Sequence, residues 1–184
     1  MRAACAVLLA LALPAAVGPA MASPRQLPAP QAPVAGRAVT AAEAFAHAER
    51  KCLAEAIYHD AGAEPLEGRS AVAEVIFRRA ATPGFPDTIC KVVYQGVTRR
   101  ACEFSFACDG ARRRARGAVL WREAWSLAGD LIARRAAVLK ADATQGALYF
   151  HADYVDPDWE ERFGVERTVQ IGTHIFYRKK PATP

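Results

Sequence analysis

The chain contains no Cys-x-x-Cys pair and no His-Glu-x-x-His run. The first absence removes the usual frame of a structural zinc site. The second removes the commonest helical signature of a zinc protease. There is no zinc-finger spacing and no recognition-helix signature, so nothing points to nucleic acid as a partner. No internal repeat is present, and the chain has only four histidines and two methionines. Long hydrophobic runs are also missing. The apolar stretch from Ala3 to Val17 is short for a transmembrane helix,.

That stretch follows a short basic start, Met1-Arg2, and precedes Ala20-Met21-Ala22, a small-residue cleavage site. The arrangement reads as a secretory signal peptide over residues 1–22. Cys5 falls within it and is expected to be removed. Residues 23–36 carry Pro24, Pro28, Pro30 and Pro33 and read as an extended linker,. One domain of ordinary size remains, from 37 to 180.

Four cysteines remain after export: Cys52, Cys90, Cys102 and Cys108. An even number in an oxidising compartment suggests two disulfides, for which three pairings exist. Cys102 with Cys108 closes a short loop, which leaves Cys52 with Cys90. Losing Arg2 and no acid brings the net charge from +5 to +4. A modestly basic exported domain suits an anionic polymer such as a cell wall or a membrane surface. Arg99, Arg100, Arg112, Arg113, Arg114 and Arg116 form a basic region, read either as a solvated loop or as a contact for acidic wall polymer.

Thr40 and Glu43 form a capping box, and the apolar steps Phe45, Ala48, Cys52, Leu53, Ala56 and Ile57 predict a helix to about Ala61,. Asp60 is the next step on that buried stripe. Gly62 is the expected stop and Pro65 the start of a second helix, which ends at Thr82-Pro83-Gly84. A short third helix follows Phe85-Pro86-Asp87. Glu103 to Phe106 is a candidate strand in an irregular stretch. A long helix is expected over 118–139, with Arg135 snorkelling from its apolar stripe. The chain ends in a strand at 146–151, an acidic aromatic loop at 153–162, and a hairpin of 167–171 and 174–178 turning at Gly172-Thr173. The fold class is α+β, mostly helical with a small antiparallel sheet.

An acid at the end of a buried helical stripe has two reasons to hold its proton: partial burial and the negative end of the helix dipole. A protonated carboxyl group is what general-acid chemistry requires. The alternative is a structural carboxylate satisfied by solvent or an arginine.

The segment Cys52-Leu-Ala-Glu-Ala-Ile-Tyr-His-Asp-Ala-Gly-Ala-Glu-Pro-Leu-Glu-Gly68 resembles the signature of the SleB-type cell wall hydrolases, known from spore cortex-lytic enzymes. The likeness continues through Phe85-Pro-Asp-Thr-Ile-Cys-Lys-Val-Val-Tyr-Gln95, Cys102-Glu-Phe-Ser-Phe-Ala-Cys-Asp-Gly110, Ala147-Leu-Tyr-Phe-His151 and Ile171-Gly-Thr-His-Ile-Phe-Tyr177. It implies a lysozyme-like fold and cleavage of peptidoglycan glycan strands as a lytic transglycosylase, leaving a 1,6-anhydro-muramyl end. It implies no metal and no cofactor.

Asp60 stands where the family has its acid, a glutamate, and Glu64 matches a second, supporting glutamate. Arg78 replaces a family asparagine; paired with Asp60, it would keep that acid ionised. Three readings therefore stand: a working aspartate enzyme, a weak enzyme, or a peptidoglycan-binding protein on the same scaffold. Tyr94, Gln95, Phe104 and Ser105 fall at family positions near the cleft. Phe104 and Tyr149 are candidates for stacking on sugar rings, and His151 for hydrogen bonding in the cleft. Trp159 is a candidate glycan contact. His59 is read as a boundary residue, His174 as structural, and Trp121 and Trp125 as packing residues.

Overall fold

The structure, a computed structural model, describes residues 38–113 and 116–181. The signal peptide, the linker and Arg114 lie outside the described residues. Among the described residues, six α-helices and three strands appear in the order α1 (Ala41–Asp60), α2 (Leu66–Ala81), α3 (Ile89–Val93), α4 (Ala118–Ala133), α5 (Arg135–Ala141), β1 (Tyr149–Ala152), α6 (Trp159–Arg162), β2 (Val165–Ile171) and β3 (His174–Lys179). This is the expected α+β architecture.

The helix at the centre is α1. Thr40 and Glu43 cap its start reciprocally. Its early turns are exposed, but every residue from Cys52 to Ile57 is buried. Continuous burial means that helices cover it on several sides: α2, α3 and α4 all pack against it. Ala54 and Ala56 permit this close approach, since neither side chain stands off a neighbour. Leu53, Ile57, Val72, Ile76, Phe77, Val92 and Val93 fill the space between the helices. Cys52–Cys90 ties α1 to α3, and Cys102–Cys108 closes the following loop. Both are the expected pairings.

Helix α1 ends one residue before the expected boundary, with the Ala61 N–H bonded to the Ile57 carbonyl. Gly62 is required here by proximity. A Cβ at this position would lie 2.5 Å from the Tyr58 carbonyl oxygen. Pro65 precedes α2 as its N-cap, where a missing N–H costs little,.

Two sequence expectations need correction, and one open reading is decided. The segment at 103–106 is not a strand; Ser105–Ala107 forms a 3-10 turn instead. The disulfide pulls the chain into too small a loop for strand pairing. The long helix is broken at Arg134 into α4 and α5. The break lets Arg135 reach inward, where it donates to the Phe77 carbonyl at 3.1 Å and lies over the Phe77 ring. Finally, Arg78 turns away from Asp60. It holds Glu74 at 2.9 Å and Asp142 at 2.6 Å. Buried Glu74 also accepts from the Thr144 hydroxyl at 2.6 Å, so this group secures the turn before β1.

The sheet order is β1-β3-β2, antiparallel throughout, with an irregularity between Arg167 and Gln170. Phe150 pairs in register with Phe176, and Tyr149 with Tyr177. Alternation therefore divides the sheet into two faces. Phe150, His174 and Phe176 share one face, where Phe176 packs on Ala71 and Val75 of α2. Tyr149, His151 and Tyr177 share the other face and meet Trp159 of α6.

Candidate active site

Asp60 is the last residue of α1 and is half-buried. No cation forms an ion pair with it among the described residues, and Arg78 is engaged by Glu74 and Asp142. Burial raises its pKa from 3.8 to about 7, and the neighbouring charge of Asp109 adds to the effect. Both influences disfavour the carboxylate, so a large share of the group keeps its proton at neutral pH.

His174, at the start of β3, lies close enough to the end of α1 for the Asp60 backbone to act on its ring. It is 4% exposed, and burial lowers its pKa despite the nearby charges of Glu64 and Asp153. The imidazole therefore stays neutral at neutral pH and packs edge-on against Phe150. On the other side, His59 stacks on Phe106 with centroids 4.7 Å apart.

Glu64 is buried, and its carboxylate spans the gap between the α1–α2 corner and the sheet. It accepts the Thr173 N–H at 3.0 Å and also the Thr173 hydroxyl. Its oxygens are thus occupied by the β2–β3 turn. This arrangement suits positioning of the hairpin beside Asp60 more than proton transfer.

The other sequence candidates disperse. Phe104 is 2% exposed and packs on Phe106 and Phe150, so it belongs to the core and has no open ring face. Ser105 is exposed, and its carbonyl accepts from Cys108 and Asp109 in the disulfide loop. Tyr94 donates its hydroxyl to Glu55. The Gln95 carbonyl accepts the Glu103 N–H at 3.2 Å, while its side-chain oxygen is buried without a partner. Tyr149 and His151 lie on the sheet face opposite His174. His151 there contacts Glu160 at 3.0 Å and the Tyr177 hydroxyl at 2.8 Å. Trp159 stacks with Phe163 beside Tyr149.

Asp109, whose charge acts on Asp60, and Phe106, which stacks on the preceding His59, are residues that sequence reasoning did not single out. Both lie in or beside the loop closed by Cys102 and Cys108. A six-residue cysteine spacing is the signal that could have found them, because such a loop holds its side chains in fixed directions. Among the described residues, no group of three or more His, Cys, Asp or Glu is arranged to hold a metal ion.

Comparison with known proteins gives a consistent picture. The chain is 30% identical over 137 residues to the spore cortex-lytic enzyme of Bacillus subtilis and 32% identical over 143 residues to that of Oceanobacillus iheyensis. These matches take in 72% and 75% of this chain but only 38% and 44% of the relatives, so the chain spans less than half of their length. Among solved structures, it resembles the catalytic domain of the germination-specific lytic transglycosylase SleB from Bacillus anthracis. The TM-score is 0.52 and the identity 28%, covering 71% of this chain and 93% of that one. Residues 63–177 match the Cell Wall Hydrolase family, a range that opens three residues after Asp60 and takes in Glu64, Asp109 and the whole sheet. The chain belongs to the Cell Wall Hydrolase family.

Proposed function

We propose that this domain cleaves the glycan strands of peptidoglycan as a lytic transglycosylase, with Asp60 as its single acid and base. The observation that carries the reading is a half-buried acid with its pKa raised to about 7 and no cation paired to it among the described residues, at the corner where the central helix meets the sheet.

Protonated Asp60 gives its proton to the glycosidic oxygen as the bond to the muramyl C1 breaks with oxocarbenium character. The resulting carboxylate then takes the proton from the C6 hydroxyl of the same sugar, and O6 closes onto C1. One bond breaks, one forms, and Asp60 is protonated again. No water is consumed. The attacking hydroxyl is held within the same molecule, which supplies a high effective concentration and removes the need for a second carboxylate. Glu64 supports the reaction by holding the hairpin.

The setting is extracytoplasmic, in line with two disulfides in a small domain,. We take residues 1–22 to direct export. The test is digestion of purified sacculi with mass analysis of the fragments. Anhydro-muropeptides that vanish with Asp60→Asn are the expected result. Reducing-end fragments would make the enzyme a hydrolytic muramidase. Binding to sacculi without released fragments would leave a silent scaffold.

A further inference from the structure

Beside α1 lies a cavity of about 460 Å³ whose walls include Lys51, Glu55, Phe106, Gly110, Arg112 and Arg116. Lys51 and Glu55 are one helical turn apart. Glu55 is 2% exposed, and both its oxygens are engaged, one by the Tyr94 hydroxyl and the other by Arg116 at 2.5 Å. The single anion of the pocket is therefore balanced within the protein. Lys51 and Arg112 form no ion pair among the described residues. The Arg112 guanidinium is held 4.3 Å over the Tyr94 ring, and Arg116 is held 4.3 Å over Trp121. The Arg116 Nε–H is buried with no acceptor. The pocket thus has two unpaired cations and an unsatisfied donor, with the Arg112 and Arg116 guanidinium groups each lying over an aromatic ring,.

The pocket adjoins the Asp60 site. Phe106 forms its wall and stacks on His59, the residue before Asp60. Gly110 follows Asp109, the charge that acts on Asp60.

We propose that this pocket receives a free carboxylate of the peptide that branches from the muramyl sugar, so that strands carrying their peptides are the preferred substrate. The inference rests on the glycan-cleavage reading above. A concave site with a small surplus of positive charge matches one carboxylate. A polyanion would call for a stripe of cations along an open face.

The experiment has two arms. In the first, full-length Asp60→Asn protein is titrated calorimetrically with a synthetic stem peptide, its carboxyl-amidated form, and polyglycerol phosphate. The free acid should bind, and amidation should weaken binding about tenfold, the size of one charge-assisted hydrogen bond. Adding Lys51→Gln and Arg112→Gln should bring the free acid down to the level of the amide. Both side chains are exposed, and a thermal melt confirms that the variant is folded. Equal binding of acid and amide, no peptide binding, no effect of the double variant, or tighter binding of the phosphate polymer overturns the proposal.

The second arm uses the Asp60 protein and compares kcat/KM on peptide-bearing strands with strands stripped by an amidase. The preference for peptide-bearing strands should shrink about tenfold in the double variant. A ratio that does not move overturns the proposal. If no strand is cleaved at all, the glycan-cleavage reading fails, and the titration still decides whether the pocket takes the carboxylate.

Discussion

Glu64 accepts two hydrogen bonds from one residue, Thr173, 109 positions further along the chain. The contact pins the β2–β3 turn to the corner where α1 ends. It also dictates the residue at 172. That position has φ +61, and a Cβ there would sit 1.7 Å from a Glu64 oxygen. Gly172→Ala should therefore destabilise the domain by about 2–4 kcal/mol, combining backbone strain with the displaced carboxylate. Glu64→Ala leaves Thr173 without its acceptor and should cost about 2–3 kcal/mol. Glu64→Gln keeps one acceptor and should retain most of the stability. Denaturant melts of the three variants measure this ordering.

Asp60 should make the protein less stable as pH rises. Its folded pKa, about 7, lies above the value of 3.8 expected in the unfolded chain. Between those values the folded state binds more protons than the unfolded one, so stability falls with increasing pH through that window. The cost of holding the charge is on the order of 2–4 kcal/mol for a half-buried group. Asp60→Asn removes it. The variant should melt higher than the parent at pH 8 and at nearly the same temperature at pH 4. Equal melting temperatures at pH 8 would mean that the acid is solvated.

The carboxylate of Asp109 is the second influence on Asp60, and its removal should be visible in rate data. Asp109→Asn withdraws a repelling charge and lowers the Asp60 pKa. The alkaline limb of the pH–rate profile should move to lower pH by about half a pH unit, as expected for an exposed neighbouring charge. Turnover of sacculi at pH 7 should fall while the acidic side of the profile is unchanged.

How far the sequence discloses this site depends on the kind of interaction involved. The apolar steps along α1 announce a buried stripe, and Asp60 continues it, so its position is legible. The hairpin is legible from spacing, and of three possible disulfide pairings the short Cys102–Cys108 loop favours the observed one without fixing it,. Contacts between distant segments leave no local trace. Nothing near Arg78 says that Asp142, 64 positions later, will claim it in place of Asp60. The break at Arg134 is hidden for the same reason: the apolar stripe continues past it, while the cause is the Phe77 carbonyl on another helix. The two faces of β1 follow from alternation, but which face meets Asp60 depends on how the sheet docks. Tyr149 and His151 lie on the face opposite His174, which their spacing alone does not disclose.

The two disulfides should differ in what their loss does. Cys52–Cys90 spans 38 positions and joins two core helices, whereas Cys102–Cys108 spans 6 and shapes the loop of Phe106 and Asp109. From loop closure alone, removing the first costs about 4 kcal/mol and the second about 2 kcal/mol. Cys52→Ala with Cys90→Ala should mainly lower Tm. Cys102→Ala with Cys108→Ala should lower Tm less and reduce turnover more, because the charge acting on Asp60 loses its fixed place. Paired melts and digestion assays on the two variants separate these effects.

Lengthening the acid tests the site most directly. The sequence resemblance sets Asp60 where the family carries glutamate, which would set its carboxyl group back by one methylene. A displacement of about 1 Å in a reacting group can change a rate on the order of 100-fold. Asp60→Glu should therefore raise turnover of sacculi, with the same anhydro products and an alkaline limb still near neutral pH, since the burial that governs the pKa is retained. Single-turnover rates on isolated glycan strands read this directly. A variant that binds strands normally but turns over more slowly would mean that the site is fitted to the shorter side chain.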